Sequence, residues 1–209
     1  MTERRPLVFI IDDDTSTQET LSSLVRSVGL QVQLFGSAEE FLESSRPDTE
    51  SCLVLDIRLP GMSGLNFQYK LADCGVSMPI IFITGHGDIQ MSVRAMKAGA
   101  IEFLTKPFRA QDLLDAIHVA LEKDRERRRL GAEFAELQTR FKLLTPRERQ
   151  VLPLVVSGLP NKQIAAELGI SVAATKVHRS QLIRKVRANS LPDLVRMAEK
   201  IGIPIPKQS

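Results

Sequence analysis

The first 120 or so residues alternate short apolar runs with longer stretches that carry helix-like patterning. Apolar runs of four or five residues are typical of strands buried on both faces, and amphipathic stretches between them are typical of helices packed on a sheet. The pattern predicts a parallel sheet with helices on both faces. The expected strands lie near 6–11, 31–35, 51–55, 79–83 and 101–104. The expected helices lie near 15–28, 38–44, 64–73, 88–98 and 110–123.

The next stretch opens with a run of charged residues over 122–129 and then shows one apolar seam. The seam recurs at steps of four and three and consists of Leu130, Phe134, Leu137, Phe141 and Leu144. This spacing predicts a continuing helix with one apolar face, although Gly131 weakens the helix locally. We expect a helical linker at 124–141 whose seam packs on a partner copy or on the chain's own domains. The charged run is expected to form a solvated helix face.

The last part of the chain is predicted to be all helical. Thr145-Pro146-Arg147-Glu148 has the residue order of a capping box with proline at the first helical position. Three further helices are expected near 161–168, 172–187 and 190–200. Gly169 follows the end of one helix and Ser171 precedes the next, which is the pattern of a helix-turn-helix.

Charge divides the chain as sharply as the apolar pattern does. Residues 142–209 contain 12 Lys and Arg against 4 Asp and Glu, a net charge of +8, whereas residues 1–141 have a net charge of −5. An acidic first part joined to a basic last part favours a regulatory or catalytic domain followed by a nucleic-acid-binding domain. An uneven surface without functional meaning is the alternative interpretation.

Composition narrows the classes further. No apolar stretch approaches the roughly 18 residues needed to span a bilayer, and the run Leu7–Ile11 leads directly into three aspartates, unlike a signal peptide. Cys52 and Cys74 have neither metal-site nor disulfide spacing. We therefore expect a reduced, cytoplasmic protein without membrane contact.

Charged and hydroxyl side chains follow four of the expected strands directly. Asp12 and Asp13 follow the first strand, Asp56 the third, Thr84 the fourth and Lys106 the fifth. The carboxyl ends of parallel strands meet at one edge of a sheet, so these side chains should converge. Like charges about 4 Å apart repel by about 4 kcal/mol at an effective dielectric of about 20, so the carboxylates require a cation. Hard oxygen ligands favour Mg²⁺, and Lys106 and Thr84 would share the charge of a phosphoryl group.

One carboxylate would then be the nucleophile that forms an aspartyl phosphate. Asp56 fits this role best, because it stands alone after its strand while Asp12 and Asp13 form a pair suited to a cation. Each residue also has an ordinary structural interpretation as a turn, capping or solvated residue, and Asp14 is expected to be a helix cap. The coincidence of the residues with four strand ends favours the functional site.

These positions and their neighbours resemble the receiver domain of two-component response regulators. The resemblance covers residues 6–123 and is carried by Phe9–Asp14, Leu55–Gly64, Ile83–Gly85 and Phe103–Phe108. It implies a flavodoxin-like fold with a five-stranded parallel sheet and a cis Lys106–Pro107 peptide bond. It also implies site roles: Asp56 as phosphoacceptor, Asp12, Asp13, Asp56 and the backbone carbonyl of Arg58 at Mg²⁺, Thr84 and Phe103 as switch residues, and Lys106 as the phosphate-binding cation.

The tail resembles the LuxR-type DNA-binding domain of the NarL/FixJ class, in its FixJ branch. The matching segments are Leu144–Glu148, Gly158–Ala165, Lys176–Arg179 and Ser190–Met197. Two departures carry structural expectations. Pro160 stands where the family has a capping serine, so Asn161 is expected to cap the helix. Pro153 is expected to kink or break helix 146–157 near Arg149, because proline lacks an N–H and crowds that carbonyl.

Helical positions on 172–187 predict how this domain meets DNA. Lys176, Val177 and Ser180 share one face and are expected to approach base edges. Arg179, Lys185 and Arg187 are expected nearer phosphates. Thr175, Leu182 and Val186 lie toward the other side of the helix.

The resemblances together imply a regulator of transcription rather than an enzyme. The expected domains are a receiver at 1–123, the helical linker at 124–141 and the helix-turn-helix domain at 142–209. A sensor histidine kinase would phosphorylate Asp56, and the phosphorylated homodimer would bind promoter DNA and act with RNA polymerase.

Two rival interpretations remain open at this stage. Ile10–Thr15 also resembles the nucleophile motif of haloacid-dehalogenase-like phosphatases, with Asp12 as nucleophile, but Asp56 and the basic tail would then have no role. Alternatively, the protein binds DNA independently of phosphorylation and its receiver only mediates assembly.

Overall fold

The computed structural model describes residues 5–85 and 89–204. It divides into two compact units, Met1–Arg128 and Arg129–Ser209. The first unit contains a five-stranded parallel sheet in the order β2-β1-β3-β4-β5. Its strands are β1 Leu7–Ile11, β2 Gln31–Phe35, β3 Ser51–Asp56, β4 Ile80–Thr84 and β5 Glu102–Thr105. Its helices are α1 Thr15–Ser27, α2 Ala38–Glu43, α3 Gly64–Asp73 and α4 Ile89–Lys97, followed by α5 Ala110–Lys142, which continues into the second unit.

Alternating side chains of the central strands build two apolar layers. Phe9, Leu53 and Phe82 pack with residues of α2, α3 and α4 on one face of the sheet. Ile10 and Val54 belong to the other layer, with residues of α1 and α5. Because both faces are covered, the interiors of the central strands are apolar. The predicted strands and helices of this unit are confirmed to within one or two residues, apart from the expected start of α4 at residue 88, which lies outside the described residues, and the end of the last helix, which continues beyond residue 123.

The linker is part of one uninterrupted helix, α5, in spite of Gly131. The second half of the apolar seam, Leu137, Phe141 and Leu144, is buried in the core of the second unit. Leu130 and Phe134 remain 43% and 36% exposed. The seam was expected to pack either on a partner copy or on the chain's own domains. Its second half packs on the chain's own second unit.

The second unit continues with α6 Pro146–Val156, α7 Asn161–Leu168, α8 Val172–Val186 and α9 Leu191–Lys200. The predicted capping box is present: the Thr145 side chain accepts from the Glu148 amide, and the Glu148 carboxylate accepts from the Thr145 amide. Gly169 ends α7 in the left-handed region at φ 63°, and the Ser171 hydroxyl caps α8. These residues form the predicted helix-turn-helix.

The two departures at prolines have different outcomes from those expected. Helix α6 continues through Pro153, so the expected break is wrong, and the alternative of a kink stays a prediction. Pro160 occupies the N-cap of α7 without a side-chain cap, and the Asn161 carboxamide accepts instead from Arg179 Nη1 at 3.1 Å. The expectation that Asn161 caps α7 is therefore wrong. Its side chain has a partner on α8 that local sequence could not reveal.

Candidate phosphoryl site and nucleic-acid interface

The acidic residues lie where the strand order reverses. β1 has β2 on one side and β3 on the other, and the crevice at such a switch point is where α/β sheets bind ligands. Asp12 directly follows β1, and Asp56 is the last residue of β3. Asp14 caps α1 through the Ser16 amide, as predicted.

Lys106 joins the two strand ends. Its Nζ lies 2.8 Å from Asp12 Oδ2 and 2.9 Å from Asp56 Oδ2. The backbone places it there, because the Lys106 amide donates to the Thr84 carbonyl at 2.7 Å. The Lys106–Pro107 bond is cis, as the resemblance implied. Residues far apart in sequence thus form one hydrogen-bonded group.

Burial sets the electrostatics of this group. It raises the pKa of Asp12, and the hydrogen bonds from Lys106 and from the Asp14 amide only partly offset it. Burial also lowers the pKa of Lys106, but the hydrogen bonds to Asp12 and Asp56 outweigh that effect and raise the pKa overall. Lys106 is therefore a permanent cation between two carboxylates.

The backbone around Asp56 is tightly packed. The Arg58 amide donates to Asp56 Oδ1 at 2.8 Å, and the Gly64 amide donates to the Ile57 carbonyl at 2.8 Å. A Cβ added at Gly64 would lie only 2.6 Å from the Asp56 carbonyl oxygen and 3.0 Å from the Ile57 Cα. Only glycine lets α3 approach the strand end this closely. This role of Gly64 was not predicted, although Gly64 lies in the segment Leu55–Gly64 that carried the resemblance.

The remaining expected residues lie around the same sheet edge. Thr84, the last residue of β4, is fully buried. Phe103 on β5 is partly buried and packs against the core on the α2–α4 face. Asp13 is exposed, whereas Asp12 is buried. The structure thus brings Asp12, Asp56 and Lys106 into direct contact and leaves Asp13 open to solvent.

The donor set suits a divalent cation in charge and in chemistry. Asp12, Asp13, Asp56 and Lys106 together carry a net charge of −2, and their acceptors are hard oxygens, which Mg²⁺ prefers. Within residues 5–85 and 89–204, three or more acidic, histidine or cysteine side chains do not gather closely enough to hold a metal. Mg²⁺ does not require this, because it commonly binds one or two carboxylates and keeps several waters.

Most of the charged run at the start of the linker is exposed, as expected, but Asp124 is an exception. Asp124 is fully buried and accepts from the Ser51 amide at 3.0 Å and from the guanidinium groups of Arg127 and Arg128. Arg125 makes two hydrogen bonds to Glu50. These contacts hold α5 against the segment that precedes β3. Sequence alone could not find the contacts to Ser51 and Glu50, because these partners lie more than 70 residues from Asp124 and Arg125.

Helix α8 presents a basic face. The exposed positions include Lys176, Val177, Ser180, Arg184 and Arg187, whereas Thr175, Leu182 and Val186 are fully buried, as predicted. Arg184 follows Ser180 by one helical turn and was missed as a candidate contact. Arg187 ends the helix in the left-handed region at φ 59°.

Lys185, which was expected near phosphates, has an acidic protein partner in this structure. Its Nζ lies 2.7 and 2.9 Å from the two oxygens of Glu148, which is fully buried. This ion pair joins α8 to the start of α6. An ammonium bound in this way contributes to the packing of the helix.

Two family models match the chain. The response regulator receiver domain matches residues 8–118, and the bacterial regulatory proteins of the luxR family match residues 142–198. Among the described residues, no helix combines the length and the apolar character needed to cross a membrane.

Individual relatives match almost the whole chain. Nodulation protein W of Bradyrhizobium diazoefficiens is 54% identical over 199 residues, which cover 95% of this chain and 88% of that protein. Transcriptional regulatory protein FixJ of Azorhizobium caulinodans is 42% identical over 196 residues, covering 94% and 93%. A solved structure of the response regulator StyR is 51% identical with a TM-score of 0.85, over 94% of this chain and 100% of that chain.

These matches exclude the phosphatase interpretation, because the family regulates transcription and is not enzymatic. Receiver domains of response regulators generally use Mg²⁺, and a receiver joined to a DNA-binding domain implies a histidine kinase and DNA as partners. The chain belongs to the NarL/FixJ-class response regulators, which join a receiver domain to a LuxR-type DNA-binding domain.

Proposed function

We propose that Asp56 accepts a phosphoryl group from a sensor histidine kinase and that this modification controls DNA binding by the second unit. The observation that carries the proposal is the Lys106 ammonium between Asp12 and Asp56, at 2.8 and 2.9 Å. It places a fixed cation beside the carboxylate where phosphoryl charge would develop. Such preorganised charge is the main means by which proteins assist phosphoryl transfer.

Access favours Asp56 over Asp12 as the acceptor. The Asp12 side chain is 1% exposed and the Asp56 side chain is 10% exposed. Both carboxylates accept one hydrogen bond at each oxygen, from the Asp14 amide and Lys106 at Asp12 and from the Arg58 amide and Lys106 at Asp56, so exposure is the difference between them. Asp12 therefore serves as part of the electrostatic environment, and Asp56 faces the incoming group.

Mg²⁺ would be held by Asp12, Asp13, Asp56 and the Arg58 carbonyl. When bound, the ion supplies positive charge that offsets the transferring phosphoryl oxygens. The residues of the chain do the rest: an Asp56 oxygen attacks phosphorus as the bond to the kinase histidine breaks, and the histidine keeps the electron pair and takes up a proton. Lys106 remains protonated throughout and binds a phosphoryl oxygen.

The charge change then reaches the surface. Phosphorylation replaces the single negative charge of the Asp56 carboxylate with a phosphoryl group that carries nearly two, so Lys106 turns toward the new group and the Thr84 hydroxyl bonds to it. Phe103 moves inward into the space that Thr84 leaves. The exposed apolar residues nearby are Ile89, Val93 and Met96 on α4 and Val119 on α5, which we propose as the dimer contact.

The energy needed for such a switch is within reach of these contacts. Moving an equilibrium from 1:99 to 99:1 takes about 5.5 kcal/mol of differential stabilisation. Hydrogen bonds to charged groups contribute about 1.5–3 kcal/mol each. Between about two and four new contacts to the phosphoryl group, depending on their strength, therefore suffice.

In the dimer, two copies of α8 would occupy paired half-sites on promoter DNA. Lys176, Val177 and Ser180 approach base edges, and Arg179 and Arg187 lie nearer phosphates, with Arg184 added to this set. Lys185 is left out because it is paired with Glu148. The protein acts in the cytoplasm, where it meets its promoters and RNA polymerase.

The domain limits follow the contacts of α5. Residues 124–128 are bound to the segment before β3, so we place the end of the receiver at Arg128 rather than at residue 123. The linker then covers 129–141 and the DNA-binding domain 142–209.

Acetyl phosphate labelling and sedimentation test the phosphoacceptor and the switch. Wild type should be labelled at Asp56, and beryllofluoride with Mg²⁺ should convert monomer to dimer. Asp56→Ala should abolish both responses, and Lys106→Ala should allow labelling without dimers. Label on Asp12 would refute the assignment, whereas equal DNA binding with and without beryllofluoride would favour a receiver that only mediates assembly.

A matched pair of lysine variants tests the DNA contacts. Lys176→Ala should lose about 1–3 kcal/mol of discrimination at one base position. Lys200→Ala on α9 serves as the control and should leave sequence preference unchanged. An equal loss of affinity for all DNA sequences in Lys176→Ala would remove its base-reading role.

A further inference from the structure

We infer that Gln18 is a positioning residue for the acidic loop at residues 12–14, and that it sets the Mg²⁺ affinity of the site; this inference rests on the proposed function. Gln18 lies in the first turn of α1, directly after the loop. Its side-chain nitrogen donates to the Asp12 carbonyl at 2.6 Å and to the Phe35 carbonyl at 3.0 Å. No proposed chemical step uses this residue.

The identity of the donor atom follows from its partners. Both partners are carbonyl oxygens, which only accept, so the NH₂ end of the carboxamide must face them and supply one hydrogen to each. Gln18 therefore joins the residue after β1 to the last residue of β2. The Asp12 amide adds a third bond at this point, donating to the same Phe35 carbonyl at 3.2 Å.

Fixing the Asp12 carbonyl also fixes the start of Asp13. The peptide group is planar, so the direction of the Asp12 carbonyl determines where the amide and the Cα of Asp13 lie. The Asp12 side chain is held separately by the Asp14 amide and Lys106, and the Asp13 side chain is exposed. Gln18 is thus the side chain that orients the peptide between the two carboxylates proposed for Mg²⁺.

Gln18 can do this without altering the charge of the site. A lysine or arginine at this position would add a positive charge that competes with Mg²⁺, and an acidic residue would repel the two carbonyl oxygens. Partners that orient metal ligands commonly change metal affinity by about 10–100-fold when they are removed. Gln18 acts on the ligands only through the backbone and not by contacting their side chains. We therefore expect its removal to change the Mg²⁺ affinity by about tenfold, the lower end of that range.

The test compares two glutamines of the receiver in the full-length protein. Gln18→Met removes both donors while keeping the length of the side chain. Gln68→Met is the matched control, because the Gln68 carboxamide also donates to a backbone carbonyl, that of Ala98 at 3.0 Å, at the end of α4. Calorimetric titration with MgCl₂ should show a Kd about tenfold higher in Gln18→Met. Gln68→Met should bind Mg²⁺ like wild type.

The second readout separates positioning from folding. Labelling of Asp56 by acetyl phosphate should need more Mg²⁺ in Gln18→Met but reach the wild-type rate at saturation. If Gln18→Met does not fold, Gln18→Asn replaces it, because its shorter amide cannot reach both carbonyls. An unchanged Kd, or an equal increase in Gln68→Met, would overturn the role of Gln18. Wild type that binds Mg²⁺ but is not labelled at Asp56 would instead overturn the proposed function.

Discussion

Two buried acid–base groups, one in each unit, differ in how their charges balance. In the receiver, the Asp12 and Asp56 carboxylates share the single ammonium of Lys106, and Asp13 stands beside them. In the DNA-binding unit, the Glu148 carboxylate is paired with the Lys185 ammonium and also accepts from the Thr145 amide. The first group has an excess of negative charge and the second is neutral. An uncompensated buried charge marks a site that awaits a ligand, whereas a balanced pair marks structure.

Asp124 supports this distinction within the receiver itself. It is as buried as Glu148, yet two guanidinium groups and the Ser51 amide satisfy it. Burial alone therefore does not identify a functional carboxylate. A functional carboxylate is identified instead by whether the cations around it balance its negative charge.

The largest effect is expected from breaking the balanced pair. Lys185→Met should reduce the free energy of unfolding of the second unit by about 3 kcal/mol, because it leaves the Glu148 carboxylate buried without its cation. Urea unfolding of the full chain, followed through amide signals of α6 and α8, measures this loss. Lys162→Met on α7 is the control, since this exposed lysine should change stability by less than about 0.5 kcal/mol.

A double variant sharpens the result. Glu148→Gln combined with Lys185→Met removes both charges and should recover most of the lost stability. If Lys185→Met alone leaves the unfolding of α6 and α8 unchanged, the pair contributes nothing to this unit, and Lys185 returns to the candidates for DNA contact.

The second-largest change in stability is expected when Mg²⁺ neutralises the excess negative charge around Lys106 in the receiver. Mg²⁺ at ten times its Kd should stabilise the receiver by about 1.4 kcal/mol through mass action. The second unit should not respond. Thermal unfolding with MgCl₂ against an equal ionic strength of NaCl measures the difference, and Asp13→Ala should abolish it. Equal stabilisation of both units would indicate a general salt effect and not a site.

Asp56→Asn should raise the free energy of unfolding of the receiver, whereas Lys185→Met should lower that of the second unit. Without Mg²⁺, Asp56→Asn removes one of the excess negative charges, so the receiver should gain about 1 kcal/mol, as is common when a functional site is neutralised. Denaturant unfolding in EDTA checks this gain. A loss of stability would show that the Asp56–Lys106 pair outweighs the repulsion among the carboxylates.

More of the receiver than of the second unit could be predicted from the sequence. Asp12, Asp56 and Lys106 could be placed together because each follows a strand whose carboxyl end must lie at one sheet edge. The helix-turn-helix could be located because Gly169 and Ser171 act within a few residues of their own positions. Both inferences depend on local chemistry or on the regular geometry of a parallel sheet.

The expectations that the structure did not match concern residues whose partners lie far away in the sequence. Lys185 was placed with the phosphate contacts because a basic residue on a recognition helix usually meets DNA, but Glu148 lies 37 residues away in sequence. Asp124 was read as part of a solvated run, whereas Ser51 lies 73 residues away. At Pro153, helix α6 continues although the local preference of proline favours a break. Spacing within one element could not indicate any of these.

The smallest and most specific effect is expected from pH, because the two groups should respond in opposite directions. The pKa of Glu148 lies below its ordinary value of 4.5, because the contacts with Lys185 and Thr145 outweigh the effect of burial. Its contribution to stability is therefore present above pH 4.5 and is lost as the pH falls through the lowered value. The pKa of Asp12 lies above its ordinary value of 3.8, chiefly through burial. Its contribution is present below pH 3.8 and is lost as the pH rises through the raised value.

Between pH 5 and pH 3, acid should therefore destabilise the second unit through Glu148 while Asp12 favours the receiver. Hydrogen exchange of α6 and α8 amides, compared with those of β1 and β3, follows both units in the same sample. Glu148→Gln should remove the acid sensitivity of the second unit, and Asp12→Asn should leave it in place. If both units lose protection together in every variant, the pH response reflects the net charge of the whole chain, and the contrast between a balanced and an unbalanced group does not hold.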